Sequence, residues 1–312
     1  MVRPVNIGVI GIKGAWSTES LSQQLRNKGS GGAVIEMQEL SYDLSHDFSY
    51  DFSYDGGDKL VSHPDHDLLA FDAFLIKKMG RDYSSHLMEE LELLEMLEGR
   101  GLNFFPSPRN IRKMISRLGC TILLRNNDIP MPPTFITRSI DEGVAWVVKH
   151  GPAILKPLYS SRARGMKILH TAEEAQVALS DFVASGEKIM YLQKKLDLAN
   201  SDYGLVFLGG NYVGAYARVG DGSTWHTTTE SGRKYEPYSP PQAFIDIAER
   251  AQRPFGLDFC SVDVADSAEL GPIVFEVSAF GGYKGLFDSS GIDASELVAD
   301  YAIEKLMRMS TL

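Results

Sequence analysis

Leu257-Asp258-Phe259-Cys260-Ser261-Val262-Asp263-Val264, followed after a polar interval by Ile273-Val274-Phe275-Glu276-Val277-Ser278, is the stretch on which the fold turns. Both segments alternate as strands do, with residues two apart on one face. Ser261 and Asp263 then share a face of the first, and Glu276 and Ser278 a face of the second, with Phe275 and Val277 opposite. The interval 265–272 holds Asp266, Ser267, Gly271 and Pro272, which predicts a turn between antiparallel strands. A register symmetric about that turn sets Asp263 against Glu276 and Ser261 against Ser278. A slip of one residue would send one carboxylate to the other face. Facing carboxylates repel unless a cation lies between them or one stays protonated. A hard dication bound through oxygen resolves the conflict. Mg²⁺, which completes its octahedron with waters and nucleotide phosphates, is the expected ion, with Mn²⁺ as the alternative.

Upstream, Ile154-Leu155-Lys156-Pro157 puts a lysine in an otherwise apolar strand, where an unpaired ammonium is costly to desolvate. Such a lysine calls for an anion. The next residues, Leu158-Tyr159-Ser160-Ser161-Arg162-Ala163-Arg164-Gly165-Met166-Lys167, form a polar turn leading to a second apolar strand at Ile168-Leu169. Strand, turn and strand predict a hairpin flap whose backbone N–H groups, with Arg162 and Arg164, could close over a triphosphate. The competing reading is a solvated basic hairpin.

The first hundred residues alternate strand and helix patterns: a strand over 5–10, a helix over 17–28, strands over 33–40 and 71–77, and a helix over 84–97. This predicts an α/β opening. Its turn, Gly8-Val9-Ile10-Gly11-Ile12-Lys13-Gly14, lacks the GxGxxG spacing of a dinucleotide fold. Residues 41–55 repeat Ser-Tyr-Asp and end near Gly56-Gly57, a polar loop by composition. Phe105-Pro106-Ser107-Pro108 marks a change of direction. A helix over 110–126 follows. The prolines of Ile129-Pro130-Met131-Pro132-Pro133-Thr134 then impose an extended approach to a strand. Beyond a helix over 141–149 and the flap, residues 188–312 carry several strands and two helices, the last over 295–309. The expected division is 1–106, 107–187 and 188–312.

With 312 residues the chain suits two or three packed lobes. Hydrophobic residues at 44% and charged residues at 23% place it among globular proteins. No uninterrupted apolar run approaches roughly 18 residues, and no signal-peptide stretch follows Met1, so a cytoplasmic location and no membrane association are expected. A net charge of −10 argues against nucleic acid as a partner. Cys120 and Cys260 lie in apolar segments without a CxxC pair, and buried thiols are expected in preference to a disulfide or metal role.

Taken in order, the proline-rich approach, the strand lysine before a small-residue flap, the Asp strand, and the Glu strand followed by a glycine loop resemble the ATP-grasp superfamily. The stretch from Phe275-Glu276-Val277-Ser278 through Ala279-Phe280-Gly281-Gly282-Tyr283-Lys284-Gly285-Leu286, with Gly291-Ile292-Asp293 beyond it, is similar to the RimK-like branch of α-L-glutamate ligases. More narrowly, the N-terminus, the flap and this stretch are together similar to the ATP-grasp member of the bacterial GAK gene system. The resemblance covers about residues 105–312. It implies an α/β ATP-grasp fold behind an N-terminal α/β pre-ATP-grasp domain, with ATP and Mg²⁺ as cofactors. Position by position, it makes Lys156 the lysine on the α- and β-phosphates, and Ser160, Ser161, Arg162, Ala163, Arg164, Gly165 and Met166 the flap. Gln193 and Lys194, with Leu196 beside them, match the hinge that meets adenine. Asp202 matches a site-lining aspartate, Asp263 and Glu276 the metal carboxylates, and Arg218 the arginine near the acyl phosphate, whose charge would stabilise developing oxyanions.

Four positions depart from that pattern. The first phosphate lysine falls on Arg117, which keeps the charge and changes the reach. Ser278 replaces a metal-binding asparagine, Gly165 is the flap's sole glycine, and Gly204 stands where an arginine is common. His226, Gly282 and Lys284 are candidates for substrate contact, His226 being equally readable as a packed or surface histidine. The resemblance implies an ATP-dependent carboxylate–amine ligase acting through an acyl phosphate on small-molecule or peptide carboxylates and amines, as a dimer or tetramer. The alternatives are a phosphotransferase and a nucleotide-binding regulatory subunit without turnover.

Overall fold

The computed structural model describes residues 4–45, 60–81, 83–161, 163–198, 201–219 and 234–309. The chain opens with β1 (Ile7–Ile10), α1 (Trp16–Asn27) and β2 (Gly31–Ile35). The strand expected over 33–40 stops at Ile35, because Glu36 and Glu39 cap each other across a 3₁₀ turn at Met37–Glu39. Two residues of the expected polar loop, β3 (Ser41–Tyr42), pair with β4 (Val61–Ser62); positions 46–57 of that expectation lie outside the described residues. β5 (Ala73–Ile76), α2 (His86–Gly99) and β6 (Asn103–Phe105) complete a parallel sheet of order β2-β1-β5-β6. Its central strands, Ile-Gly-Val-Ile and Ala-Phe-Leu-Ile, are buried throughout, as parallel strands covered on both faces must be.

The single helix expected over 110–126 is two, α3 (Pro108–Ile115) and α4 (Arg117–Asn126). Ser116 breaks it: its backbone is extended, and its hydroxyl accepts from Gly119 N at 3.5 Å as the cap of α4. The break releases the N–H of Arg117, which donates to Leu158 O at 3.0 Å and so ties α4 to the root of the flap. A second sheet, of order β7-β10-β8-β9 and antiparallel, is built from β7 (Thr134–Thr137), β8 (Ala153–Lys156), β9 (Lys167–Leu169) and β10 (Met190–Lys194). α5 (Ile140–His150) and α6 (Ala172–Ala184), the latter not anticipated, bury Val147 and Leu179 against Leu155 and Leu192 of this sheet.

The third sheet holds β11 (Ser201–Leu208), β12 (Asn211–Val219), β13 (Lys234–Pro237), β14 (Phe259–Ser267) and β15 (Gly271–Ser278) in the order β13-β12-β11-β14-β15. Among the described residues three helices accompany it rather than the expected two: α7 (Gln242–Gln252), α8 (Tyr283–Ser290) and α9 (Ala294–Met309). The facing pairs Asp263–Glu276 and Ser261–Ser278 occur as expected, although simple symmetry about the turn does not produce them. Next to the turn Ser267 pairs with Gly271 and Val264 with Val274; extended unbroken, that register would set Asp263 against Phe275. A bulge after Asp263 takes Phe275 out of the ladder and brings Glu276 into line. Phe275 therefore does not share the core face of Val277. It is half-buried beside Leu196 and Ile273, 5.4 Å from the Lys156 ammonium.

On the other face Val262, Val264, Val274 and Val277 pack with Phe244 and Ile247 of α7 and with Leu91, Ile111 and Leu124 of α2, α3 and α4. Full burial of each such side chain contributes roughly 1.5–3 kcal/mol. This core holds the β14–β15 hairpin rigidly, so its polar face is presented at a defined height. Cys120 and Cys260 are free, buried thiols, both pushed up to about 12 by burial. No described helix is long and apolar enough to cross a membrane.

Candidate active site

The polar face of the β14–β15 hairpin looks across a cleft at the flap and the start of α4. Arg117, Ser160 and Ser161 line one side of the cleft, Glu276 and Ser278 the other. Asp263 and Glu276 lie opposite each other on adjacent strands, and each has its own arginine. The Arg218 Nη2 atom is 2.9 Å from Asp263 Oδ2, and the Arg117 Nη1 atom is 3.6 Å from Glu276 Oε2. Burial pushes the Asp263 carboxyl upward, Arg218 opposes that, and the facing Glu276 adds to the rise. The Ser278 hydroxyl, one of the expected metal ligands, accepts from Phe280 N at 3.2 Å, which shapes the glycine turn after β15 and leaves a second lone pair toward the cleft.

These residues fit a hard divalent cation. Asp263 and Glu276 supply two carboxylates, Ser261 and Ser278 two hydroxyls, and the donor set is all oxygen. Among the described residues no cluster of three or more His, Cys, Asp and Glu side chains could hold an ion alone. The pair thus suits an ion that brings part of its own shell, as Mg²⁺ does with nucleotide phosphates.

Lys156 ends β8 buried, 7% exposed, and its ammonium donates to Gln193 Oε1 at 2.5 Å. Burial lowers its pKa to about 7, the Arg117 charge pushes the same way, and Glu276 opposes. Gln193, expected at adenine, instead spends its side chain below Lys156: its Nε2 donates to Thr134 Oγ1 at 3.2 Å and to Tyr191 Oη at 3.3 Å. Its backbone pairs with Thr134 and Ile154 in the sheet. Lys194 points away to Glu269, 2.7 Å distant, whereas Leu196 is buried with Ala265 and Ile273 on the cleft side of the hairpin.

Arg117 crosses from α4 to the flap root, donating from Nε to Pro157 O at 3.0 Å and from Nη2 to Ser160 Oγ at 3.1 Å. The flap is the expected hairpin, with Ile154 opposite Ile168. Ala163 and Gly165 take positive φ, 59° and 70°, a conformation that strains the alanine. Arg164 folds back so that Nη2 donates to Ser161 Oγ at 2.9 Å. Met166 N donates to Ala163 O at 3.2 Å, closing the turn. Arg162 lies outside the described residues.

Asp202, expected to line the site, is buried and engaged by Arg218, whose Nε donates to its Oδ2 at 2.6 Å. Its other oxygen, Oδ1, is buried with no hydrogen-bond partner among the described residues. Burial alone would depress Arg218, but Asp202 and Asp263 outweigh it and hold the guanidinium charged. Gly282 caps α8 at φ 90°, and a Cβ there would stand 3.0 Å from Val206, so packing explains this glycine. Lys284 is exposed, 3.1 Å from Asp288 and 5.5 Å over the Trp16 ring, and is not one of the residues that line the cleft. His226 lies outside the described residues.

Two residues of the first sheet's connections reach this region and were missed. Lys77, at the end of β5, is 3% exposed; it donates to Phe280 O at 2.7 Å and sits 4.2 Å over the Tyr283 ring, its pKa lowered to about 7 by burial and by Lys78. A lysine closing an apolar run was its signal, the same that marked Lys156. Tyr83 lines the cleft beside Phe280, and burial with the Glu276 charge raises its phenol well above the ordinary range. Nothing in the local sequence distinguishes it.

The chain is 21% identical over 259 residues to the tetrahydromethanopterin:alpha-L-glutamate ligase of Methanosarcina acetivorans, covering 74% of this chain and 79% of that one. It is 29% identical over 217 residues to a probable alpha-L-glutamate ligase of Haemophilus influenzae, covering 67% and 69%. The fold matches the ATP-grasp ligase PsnB, solved with a phosphomimetic variant of its minimal precursor, Mg and ADP, at a TM-score of 0.72 and 17% identity, covering 97% of this chain and 98% of that one. The model of the RimK-like ATP-grasp domain matches residues 116–302, more than half of the chain. The chain therefore belongs to the RimK-like ATP-grasp family of ATP-dependent carboxylate–amine ligases.

Proposed function

We propose that the chain uses ATP to phosphorylate a substrate carboxylate and joins the acyl group to the amino group of an α-amino acid, with L-glutamate the first candidate because two of its relatives bear that name. The observation that carries the reading is the cleft itself, with Lys156 and Arg117 on one wall and the Asp263–Glu276 pair on the other. Residues 107–187 and 188–312 are read as the two lobes that grip the nucleotide.

In this reading Lys156 holds the α- and β-phosphates, and Arg117, already at the flap root, meets the outer phosphates. The flap over 160–166 supplies backbone N–H groups and Arg162 and Arg164. Leu196 and the backbone near Gln193 and Lys194 form the wall for adenine. Asp263, Glu276 and Ser278 hold Mg²⁺, and Mn²⁺ would suit the same oxygen set. The ion, when bound, neutralises charge on the β- and γ-phosphates. A carboxylate oxygen attacks the γ-phosphorus and ADP leaves; the amine then attacks the acyl carbon, loses its proton and expels phosphate. Arg218 stabilises the oxyanions of both steps. Positioning and charge neutralisation carry the catalysis, and no side-chain nucleophile is required.

The test is ADP release with carboxylate candidates, free or peptide-borne, each with and without L-glutamate, followed by mass spectrometry of the product. Release that needs both substrates, with a product bearing a new amide, is expected. ADP release indifferent to any amine, with accumulation of a phosphorylated product, would replace this reading with a phosphotransferase.

A further inference from the structure

The face of the third sheet that carries the carboxylate pair is laid out by register. Asp202 of β11 lies opposite Arg218 of β12, while Gly204, two residues on, lies between Tyr216 of β12 and Asp263 of β14. A Cβ on Gly204 would stand 2.3 Å from the Tyr216 ring, so this position admits no side chain. The Tyr216 ring fills the space over Gly204, and Arg218, 5.7 Å from that ring, extends from β12 across β11 to Asp263 on β14. Its Nε donates to Asp202 at 2.6 Å, and its Nη2 atom lies 2.9 Å from Asp263. One cation thus serves two aspartates, only one of which faces Glu276.

The second arginine is held in the same manner. Arg117 stands 3.6 Å from Glu276 while its guanidinium is bonded to Pro157 O and Ser160 Oγ. Each carboxylate of the pair has a cation of the protein, and each cation has another anchor. An ion that takes the carboxylates need not dislodge the arginines.

We propose that Arg218 supplies, in the nucleotide-free protein, the counter-charge on Asp263 that a divalent cation later provides, and that Asp202 is a positioning residue that retains the guanidinium beside the site once Asp263 is given up. The proposal rests on reading Asp263 and Glu276 as the metal pair. Removing the Arg218 charge frees Asp263 from a competing cation, so metal binds more tightly although catalysis suffers. Removing the Asp202 charge leaves Arg218 with Asp263 as its sole anion, so metal binds less tightly. A purely structural role for either residue moves metal affinity in neither direction.

Mn²⁺ alone is the probe, its free aquo ion counted by electron paramagnetic resonance in titrations of folded protein, with melting curves run beside them. Arg218→Met should bind Mn²⁺ about tenfold more tightly than wild type, and Asp202→Asn about tenfold more weakly. Asp202→Glu should recover most of the loss. Arg218→Gln carries the same expectation should the methionine variant not fold. Unchanged or weaker binding in the Arg218 variants, or unchanged binding in Asp202→Asn, overturns the proposal while a loss of binding in Glu276→Gln leaves the metal pair standing. Mn²⁺ binding that is absent in wild type and in both Arg218 variants overturns the proposal, and binding untouched by Glu276→Gln overturns the metal assignment and this inference with it.

Discussion

The two walls of the cleft treat charge in opposite ways. On the basic wall the Lys156 ammonium is bonded to a neutral amide, Gln193, which keeps it in place without neutralising it. On the acidic wall Asp263 and Glu276 each stand beside an arginine, so their repulsion is already offset. A buried ammonium without a carboxylate is the costlier arrangement, and its depressed pKa records that cost. The contrast assigns the walls different dependence on ligands: the basic wall gains most when phosphates arrive, and the acidic wall exchanges one set of cations for another.

The largest expected effect comes from breaking the acidic wall. Glu276→Gln removes an anionic ligand of the ion that neutralises phosphate charge, and turnover should fall about 100- to 1000-fold, several kcal/mol of barrier. Metal-free stability should change by no more than about 1 kcal/mol, since the Glu276 side chain is 45% exposed and its arginine stands at 3.6 Å. Initial rates at saturating Mg²⁺, paired with melting curves in chelator, separate the two effects. A large loss of metal-free stability would mark Glu276 as structural.

A smaller effect sharpens the contrast through pH. Lys156 titrates near 7 without ligand, and phosphates favour its charged form, so its bound pKa lies higher. The affinity contributed by its charge is fully present below about pH 7 and is lost as pH rises from there toward the bound value. Nucleotide binding at pH 8 should take up a proton, and affinity should fall by up to about tenfold per pH unit above 7. Calorimetry in buffers of different ionisation enthalpy measures the uptake. Lys156→Arg, charged throughout, should flatten the profile; an equally steep profile in that variant would place the titration elsewhere.

The smallest effect concerns the flap. Arg164 now bonds within its own turn, to Ser161. Phosphates under the flap should draw it inward and slow tryptic cleavage there several-fold in the presence of an ATP analogue and Mg²⁺. Equal cleavage rates with and without nucleotide would count against a closing lid.

The same contrast shows what can be read in a sequence. Lys156 and the hairpin pair were legible because period-two patterning assigns faces, and a charge on a buried strand or a facing carboxylate pair then demands an explanation. The bulge that aligns Asp263 with Glu276 was not legible, since Phe275 is as apolar as the core residues around it and only the ladder reveals that it leaves them. Gln193 was matched to a hinge at adenine, and the bond its side chain accepts from Lys156 was not legible: which face that side chain takes depends on the pairing of β10 with β8, a contact between residues 37 apart. The helix break at Ser116 could have been suspected from a serine before the Arg117 turn, a capping residue inside an otherwise helical pattern. Tyr83 and the sharing of Arg218 arise from long-range packing that no local pattern encodes.

Whether Lys156 faces the nucleotide phosphates is decided by Lys156→Met. Methionine keeps the volume of the side chain and removes a charge that burial penalises, so the variant should fold with a melting temperature at or above that of wild type. The measurement is isothermal titration with a non-hydrolysable ATP analogue and Mg²⁺ at pH 7. Affinity should weaken about 100-fold, near 3 kcal/mol, in a protein that remains folded. Unchanged affinity in the folded variant would contradict that placement and put the nucleotide elsewhere.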